Sequence, residues 1–170
     1  MSSGSPGEPD DVDRIRQDWA ALHPKFDTGV IDLTGRILRG AAVISRAGDD
    51  FLARYDLTRG EFDLLSALRR ADEPRSPGDL RTVSLASGPA ITKRLKALEQ
   101  RGLVVRSPNP VDGRGAFIRL TDDGRELIDA VFPELLARER ELFAALPEAE
   151  RGSVVEALRA VVHALGQTTE

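Results

Sequence analysis

Residues 76–124 read SPGDLRTVSLASGPAITKRLKALEQRGLVVRSPNPVDGRGAFIRLTDDG, and the punctuation of this stretch decides the fold. Ser76-Pro77-Gly78-Asp79 is a helix start: a capping serine, a proline at the first position and an acid in the first turn. That helix is short and ends near Thr82 or Val83. Ser87 caps the next helix, which runs to Arg101 and stops at Gly102, a glycine in the C′ position. Leu103 to Arg106 then reads as a strand and Ala116 to Leu120 as another. The SPNPVDGRG between them is too rich in Pro, Gly and Asp to be anything but a loop. A short helix, a tight turn, a capped basic helix and a two-stranded ribbon make a winged helix-turn-helix, with the ribbon as the wing.

Outward from this stretch the chain is helical. Residues 1–9 are rich in Ser, Gly and Pro and are expected to be a disordered tail. Asp10 to Leu22 suits a helix with Val12, Ile15, Trp19 and Leu22 along one stripe. Val30, Leu33, Ile37, Ala41, Ile44 and Phe51 recur at helical spacing and predict a helix of six or seven turns. Thr58 and Glu61 form a capping-box pair that opens a helix through Arg70, with Phe62, Leu65 and Leu68 inward. Thr121 caps a long helix through Leu146, interrupted or kinked at Pro133. Pro147 precedes a final amphipathic helix with Val154, Leu158, Val161 and Leu165 on one face. The expected division is a tail at 1–9, N-terminal dimerisation helices at 10–55, a DNA-binding lobe at 56–121 and C-terminal dimerisation helices at 122–170.

At 100° per residue, Ile91, Leu95 and Leu98 of the basic helix fall on one side and face the core. Pro89, Lys93, Lys96 and Gln100 lie opposite, with Thr92 at the margin. Such a face suits a major groove, where lysine reaches guanine O6 and N7 or a phosphate and threonine meets a thymine methyl. Ser87 and Gly88 place backbone N–H groups at the helix N-terminus, suited to a phosphate. Arg94 sits where the apolar stripe meets solvent, so its partly desolvated guanidinium needs an acid or an anion. In the wing, Arg114 can enter a minor groove, and Asp112 better serves to hold the loop or neighbouring arginines than to touch DNA.

Total charge points the other way. Of the 170 residues, 41% are hydrophobic and 31% charged, and the net charge is −4. Yet residues 75–119 hold nine basic and three acidic side chains, a local +6 inside an acidic protein. A polyanion responds to the field within a Debye length of about 8 Å, so this block outweighs the total. The absence of cysteine excludes disulfides and thiolate metal sites, and His23 and His163 alone are too few for a histidine zinc site. No catalytic constellation or phosphate-binding glycine loop occurs, so no enzyme and no cofactor are expected. The first residues lack the basic and apolar regions of a secretory signal, and no apolar run reaches membrane length; a soluble, cytoplasmic protein is expected.

The run LASGPAITKRLKALEQRGLV, the Asp112-Gly113-Arg114 loop and IRLTDDG opening a long helix resemble the MarR family of bacterial transcription regulators. The resemblance covers about residues 30–166. Gly113 stands where the family's Asp-x-Arg wing often has a third charge, which implies lighter minor-groove contact. IRQDWAALH in an additional N-terminal helix, EFDLL after Thr58 and SGPAITKR are similar to the urate-responsive PecS/HucR-like branch. That similarity implies ligand-binding roles for Trp19, Asp63, Arg94 and Arg106, with Asp63 pairing Arg94 when no ligand is present and Arg106 near the same crevice. Urate is a planar anion, so its charge could displace Asp63 from Arg94 and tilt the recognition helix. Structural roles remain open for the same residues: Trp19 as a core anchor, and Asp63 with either arginine as a plain ion pair.

The resemblance implies a homodimeric repressor on a pseudo-palindromic double-stranded operator. Its N- and C-terminal helices are expected to intertwine and bury Ile15, Trp19, Leu142, Phe143, Val154, Leu158 and Val161. A winged-helix regulator without a urate response, or a winged-helix module that docks an acidic protein, fits the same residues.

Overall fold

The computed structural model describes residues 8–83, 88–108 and 116–167. Within them the helices are α1 (Asp11–Leu22), α2 (Ile31–Leu52), α3 (Arg59–Ala71), α4 (Pro77–Val83), α5 (Gly88–Gln100), α6 (Asp122–Leu142) and α7 (Glu148–Gly166). Strands β1 (Val104–Pro108) and β2 (Ala116–Leu120) pair antiparallel, with Val104 opposite Leu120 and Pro108 opposite Ala116. This is a mainly helical winged helix-turn-helix. No described helix is long and apolar enough to cross a membrane. The chain forms two compact units, Met1–Asp50 and Phe51–Glu170.

In the first unit, α1 begins at a reciprocal cap. The Asp10 carboxylate accepts from the Val12 and Asp13 amides, and Asp13 accepts from the Asp10 amide. Val12 is buried against Gly35 of α2, where an added Cβ would lie 2.7 Å from a Val12 methyl carbon. Arg36 binds Asp10, Asp13 and Asp32, so the start of α1 is tied to α2 by charge as well as by packing. Hydrogen bonds from the Asp10 backbone and from Arg36 hold the Asp13 carboxyl below its ordinary range. The expected apolar stripe of α1 divides: Val12 is buried, whereas Ile15, Trp19 and Leu22 are exposed.

The second unit has one core, built by Phe62, Leu64, Leu65 and Leu68 of α3, Leu80 of α4, Ile91, Leu95 and Leu98 of α5, Val104, Ile118 and Leu120 of the ribbon, and Ile128, Val131 and Leu135 of α6. Local chemistry starts and stops these elements. Thr58 and Glu61 exchange hydrogen bonds at the head of α3. Ser76 and Asp79 do the same at the head of α4. Those bonds, with Arg75 nearby, keep the Asp79 carboxyl below its ordinary range, so the acid is charged where the helix dipole favours it. α5 ends with the Leu103 amide on the Leu98 carbonyl and the Gly102 amide on that of Glu99. Gly102 has φ +71°, the left-handed turn that a Schellman ending needs.

The largest boundary differences from the sequence reading are at β1 and α6. The first strand starts at Val104 and runs on to Pro108, because Leu103 closes α5 and Pro108 falls on an edge strand, where its missing N–H costs no ladder bond. The other side of β2 is also occupied: Arg75 and Ile118 exchange both backbone hydrogen bonds, at 2.9 and 2.8 Å. α6 passes through Pro133 without interruption and ends at Leu142, not Leu146. Phe143 and Ala144 bond back three residues, and Leu146 does so to Phe143, which tightens the chain into a turn. Pro133 sits on the exposed side of α6, where water can take the carbonyl its ring leaves unpaired.

The junction of α5, β1 and α6 depends on a missing side chain. Thr121 donates its hydroxyl to the Gly102 carbonyl at 2.6 Å and its amide to that of Leu103 at 3.1 Å. It also accepts from the Gly124 amide at 3.0 Å. A Cβ on Gly124 would overlap the Leu103 carbonyl oxygen and come within 3.0 Å of its carbon. Backbone cannot swing aside as a side chain can. Gly124→Ala is therefore expected to cost about 1–3 kcal/mol by overpacking and to lower Tm by several degrees in a thermal melt. Gly152 of α7 meets nothing within 4 Å, so Gly152→Ala should raise stability by up to about 1 kcal/mol. An unchanged Tm for Gly124→Ala would remove the constraint.

Candidate nucleic-acid interface

α5 presents the two faces that its spacing predicts. Ile91, Leu95 and Leu98 are buried, while Pro89, Thr92, Lys93, Lys96 and Gln100 are exposed. Gly88 opens the helix as its first residue. Ser87, Asp112 and Arg114, assigned to a helix cap and to the wing, lie outside the described residues.

The basic side chains of the lobe fall into two groups. Arg101 is spent on structure, donating to the Asp56 carbonyl at 2.6 Å and to that of Tyr55 at 3.3 Å. Arg106 pairs with Glu99 of α5 at 3.1 Å, which ties β1 to the helix. Lys93 and Lys96, by contrast, have no ion-pair partner among the described residues, and neither does Arg119 on the exposed side of β2. Among the described residues, the solvent face of α5 thus carries two exposed cations without an ion-pair partner, and β2 a further one. Arg119 was legible in the sequence only as part of the charge count, because its exposure depends on strand register.

The four residues linked to a ligand by resemblance are arranged differently from the expectation. Asp63 does not pair with Arg94; its partner is Arg59, one helical turn earlier, at 3.4 Å. Arg59 also reaches Glu139 of α6 at 3.5 Å and lies over the Phe62 ring. A pair four residues apart on one helix needs no tertiary alignment, so the local arginine takes the carboxylate. Arg106 is likewise held by Glu99 and does not supply a second guanidinium beside Arg94. Arg94 is half-buried and lies flat against α3, with its guanidinium over Gly60. A Cβ at residue 60 would overlap the guanidinium carbon, and Arg94 has no carboxylate partner among the described residues. Sequence reasoning identified Arg94 as a cation at a boundary but missed Gly60 as its seat; a glycine in the first turn of an amphipathic helix was the available signal. Trp19 belongs to the first unit, half-exposed, in a row of stacked rings with His23 and Phe26.

Among the described residues no three His, Asp or Glu side chains gather as a metal site. The exposed face of α5 offers two ammonium cations and a threonine side chain, groups suited to binding an anionic partner.

Comparison with known proteins agrees. The MarR family model matches residues 55–115. The HTH-type transcriptional regulator PecS of Dickeya dadantii is 34% identical over 143 residues, covering 83% of this chain and 86% of PecS. The structure of a MarR mutant from E. coli complexed with operator DNA superposes with a TM-score of 0.67 at 25% identity, over 84% of this chain and 96% of that one. An S. aureus MepR–DNA complex shares the fold, with a TM-score of 0.70 at 22% identity over 78% of this chain and 97% of that one. The extent of the match to PecS, the winged helix and the exposed basic helix together place this chain in the MarR family of transcriptional regulators.

Proposed function

We propose that the protein is a homodimeric repressor that binds double-stranded DNA in a sequence-specific manner at a pseudo-palindromic operator, with α5 in the major groove. The observation that carries this reading is the unneutralised face of α5, where Lys93 and Lys96 stand exposed beside Pro89 and Thr92 with no acidic partner among the described residues. Lys93 and Lys96 then meet guanine edges or phosphates. The Gly88 amide, with Ser87, meets a phosphate at the helix N-terminus. Arg114 takes the minor groove, and Asp112 stabilises the wing. That a structurally similar MarR mutant from E. coli is complexed with operator DNA supports DNA as the partner.

Residues 56–121 are the DNA-binding lobe in this reading, and the helices at 10–55 and 122–170 are dimerisation scaffold. The support is apolar exposure: Ile15, Trp19 and Leu22 on α1, Phe143 after α6, and Val154, Leu158 and Leu165 on α7 remain uncovered in the single chain. A twofold dimer places its half-sites about one helical turn, ~34 Å, apart.

The regulator also responds to a small planar anion, such as urate, that lowers its DNA affinity. Arg94 supports this part, because it is a half-buried guanidinium on the DNA-reading helix without a carboxylate partner among the described residues. An anion on Arg94 competes with its seat on Gly60 and so acts on α5 directly. Asp63 and Arg106 join only if the anion separates them from Arg59 and Glu99. Those pairs are solvent-exposed and worth about 0–1 kcal/mol each, so they oppose little. The effect needs different anion affinities in the DNA-bound and free conformations.

Two measurements test the reading. In a fluorescence titration against duplex DNA, the Lys93→Ala, Lys96→Ala double variant should bind more weakly, with the salt slope flattened by roughly 2 per protomer. Unchanged affinity and slope would remove the assigned face, and a preference for an acidic protein over duplex DNA would favour a protein-docking module. Adding urate to the wild-type complex should release DNA, and Arg94→Ala should abolish that release. Unchanged affinity in saturating urate removes urate as effector and leaves the DNA reading intact.

A further inference from the structure

On the exposed face of α5, one polar group is already committed. Thr92 is solvent-exposed between Pro89 and Lys96, and its hydroxyl donates to the carbonyl of Gly88, four residues earlier, at 3.1 Å. A threonine in a helix divides between two rotamers, and the one chosen here turns Oγ1 back along its own helix. Two consequences follow from the tetrahedral Cβ. The hydroxyl proton is no longer free to donate to a base. The Cγ2 methyl becomes the heavy atom that the side chain presents away from the helix axis.

We propose that Thr92 is a specificity-determining residue that reads the 5-methyl group of thymine in the major groove through its own Cγ2 methyl, with the hydroxyl serving only to fix the rotamer. This rests on the placement of α5 in the major groove argued above. Two neighbouring features fit it. Lys93 and Lys96 supply charge on the same helix face but discriminate poorly between a guanine edge and a phosphate, so charge alone leaves the sequence under-read. Gly88 has no side chain to stand between the Thr92 methyl and the groove. The methyl of thymine is the one apolar group on a base edge in the major groove, and a methyl–methyl contact removes both from water. Burial of a group of this size corresponds to about a fourfold change in affinity per contact.

A remaining capacity of the hydroxyl provides the rival. Oγ1 can still accept a hydrogen bond, from adenine N6 or cytosine N4, while its proton stays on Gly88. Two substitutions separate the cases: Thr92→Ser keeps the hydroxyl and deletes the methyl, and Thr92→Val keeps a methyl and deletes the hydroxyl.

The experiment uses the full chain and a duplex that the wild-type protein selects from a randomised pool. Each thymidine of one half-site is replaced in turn by deoxyuridine, which removes only the 5-methyl. For the wild type, at least one replacement should weaken binding about fourfold. Thr92→Ser should lose a similar factor on the unmodified duplex and show no further loss on the deoxyuridine duplex. Thr92→Val should still distinguish the two duplexes, and circular dichroism should show both variants folded. The proposal is overturned if Thr92→Ser retains the wild-type preference for thymidine at every position, or if Thr92→Val loses that preference while Thr92→Ser keeps it. Steep, salt-dependent binding with no thymidine preference overturns the Thr92 assignment alone. Failure of the wild type to select any duplex overturns the major-groove placement with it.

Discussion

Two adjacent carbonyls, of Gly102 and Leu103, hold the lobe together. Leu103 and Gly102 give their amides to the end of α5, and their carbonyls receive the hydroxyl and amide of Thr121. Thr121 in turn caps α6, and Gly124 leaves the space in which the Leu103 carbonyl sits. The end of α5, the start of β1, the end of β2 and the head of α6 thus meet within a few bonds. The direction of α5 is set there and at the buried side chains of Ile91, Leu95 and Leu98. With the apolar face fixed inward and the C-terminus fixed by the junction, Lys93 and Lys96 have nowhere to point but outward.

That geometry explains how an acidic chain presents a cationic surface. Many of the acids serve structure: Asp10 and Asp13 bind Arg36, Asp72 binds Arg125, and Asp129 accepts from Nε and one Nη of Arg69. Within the basic lobe, the arginines nearest the junction are also consumed, Arg101 by carbonyls and Arg106 by Glu99. Among the described residues, Lys93 and Lys96 on α5 and Arg119 on β2 are exposed cations with no ion-pair partner. A net charge of −4 therefore says little about the surface that a partner meets.

Most of the fold was legible because its signals are local. A capping serine or threonine, an acid three residues on, and a glycine after the last apolar position each act within a turn, and the structure starts α3 and α4 at Thr58 and Ser76 and turns the chain at Gly102 after α5. What was misjudged depends on distant partners. Pro108 is tolerable in a strand only because that strand is an edge, and α6 stops short of Leu146 because the chain tightens at Phe143. The site followed the same division. The α5 face could be read from a helical wheel, but Asp63 went to Arg59 on its own helix, and the seat of Arg94 is an absent side chain at Gly60. No pattern of residues announces a contact made with a missing atom.

The central claim is that the exposed face of α5 occupies a major groove. Methylation of guanine N7 by dimethyl sulfate reports that groove directly. On a duplex selected by the wild-type protein, the account predicts guanines protected in two patches whose centres lie about 10 base pairs apart. Guanine N7 positions as reactive in the complex as in free DNA would contradict it.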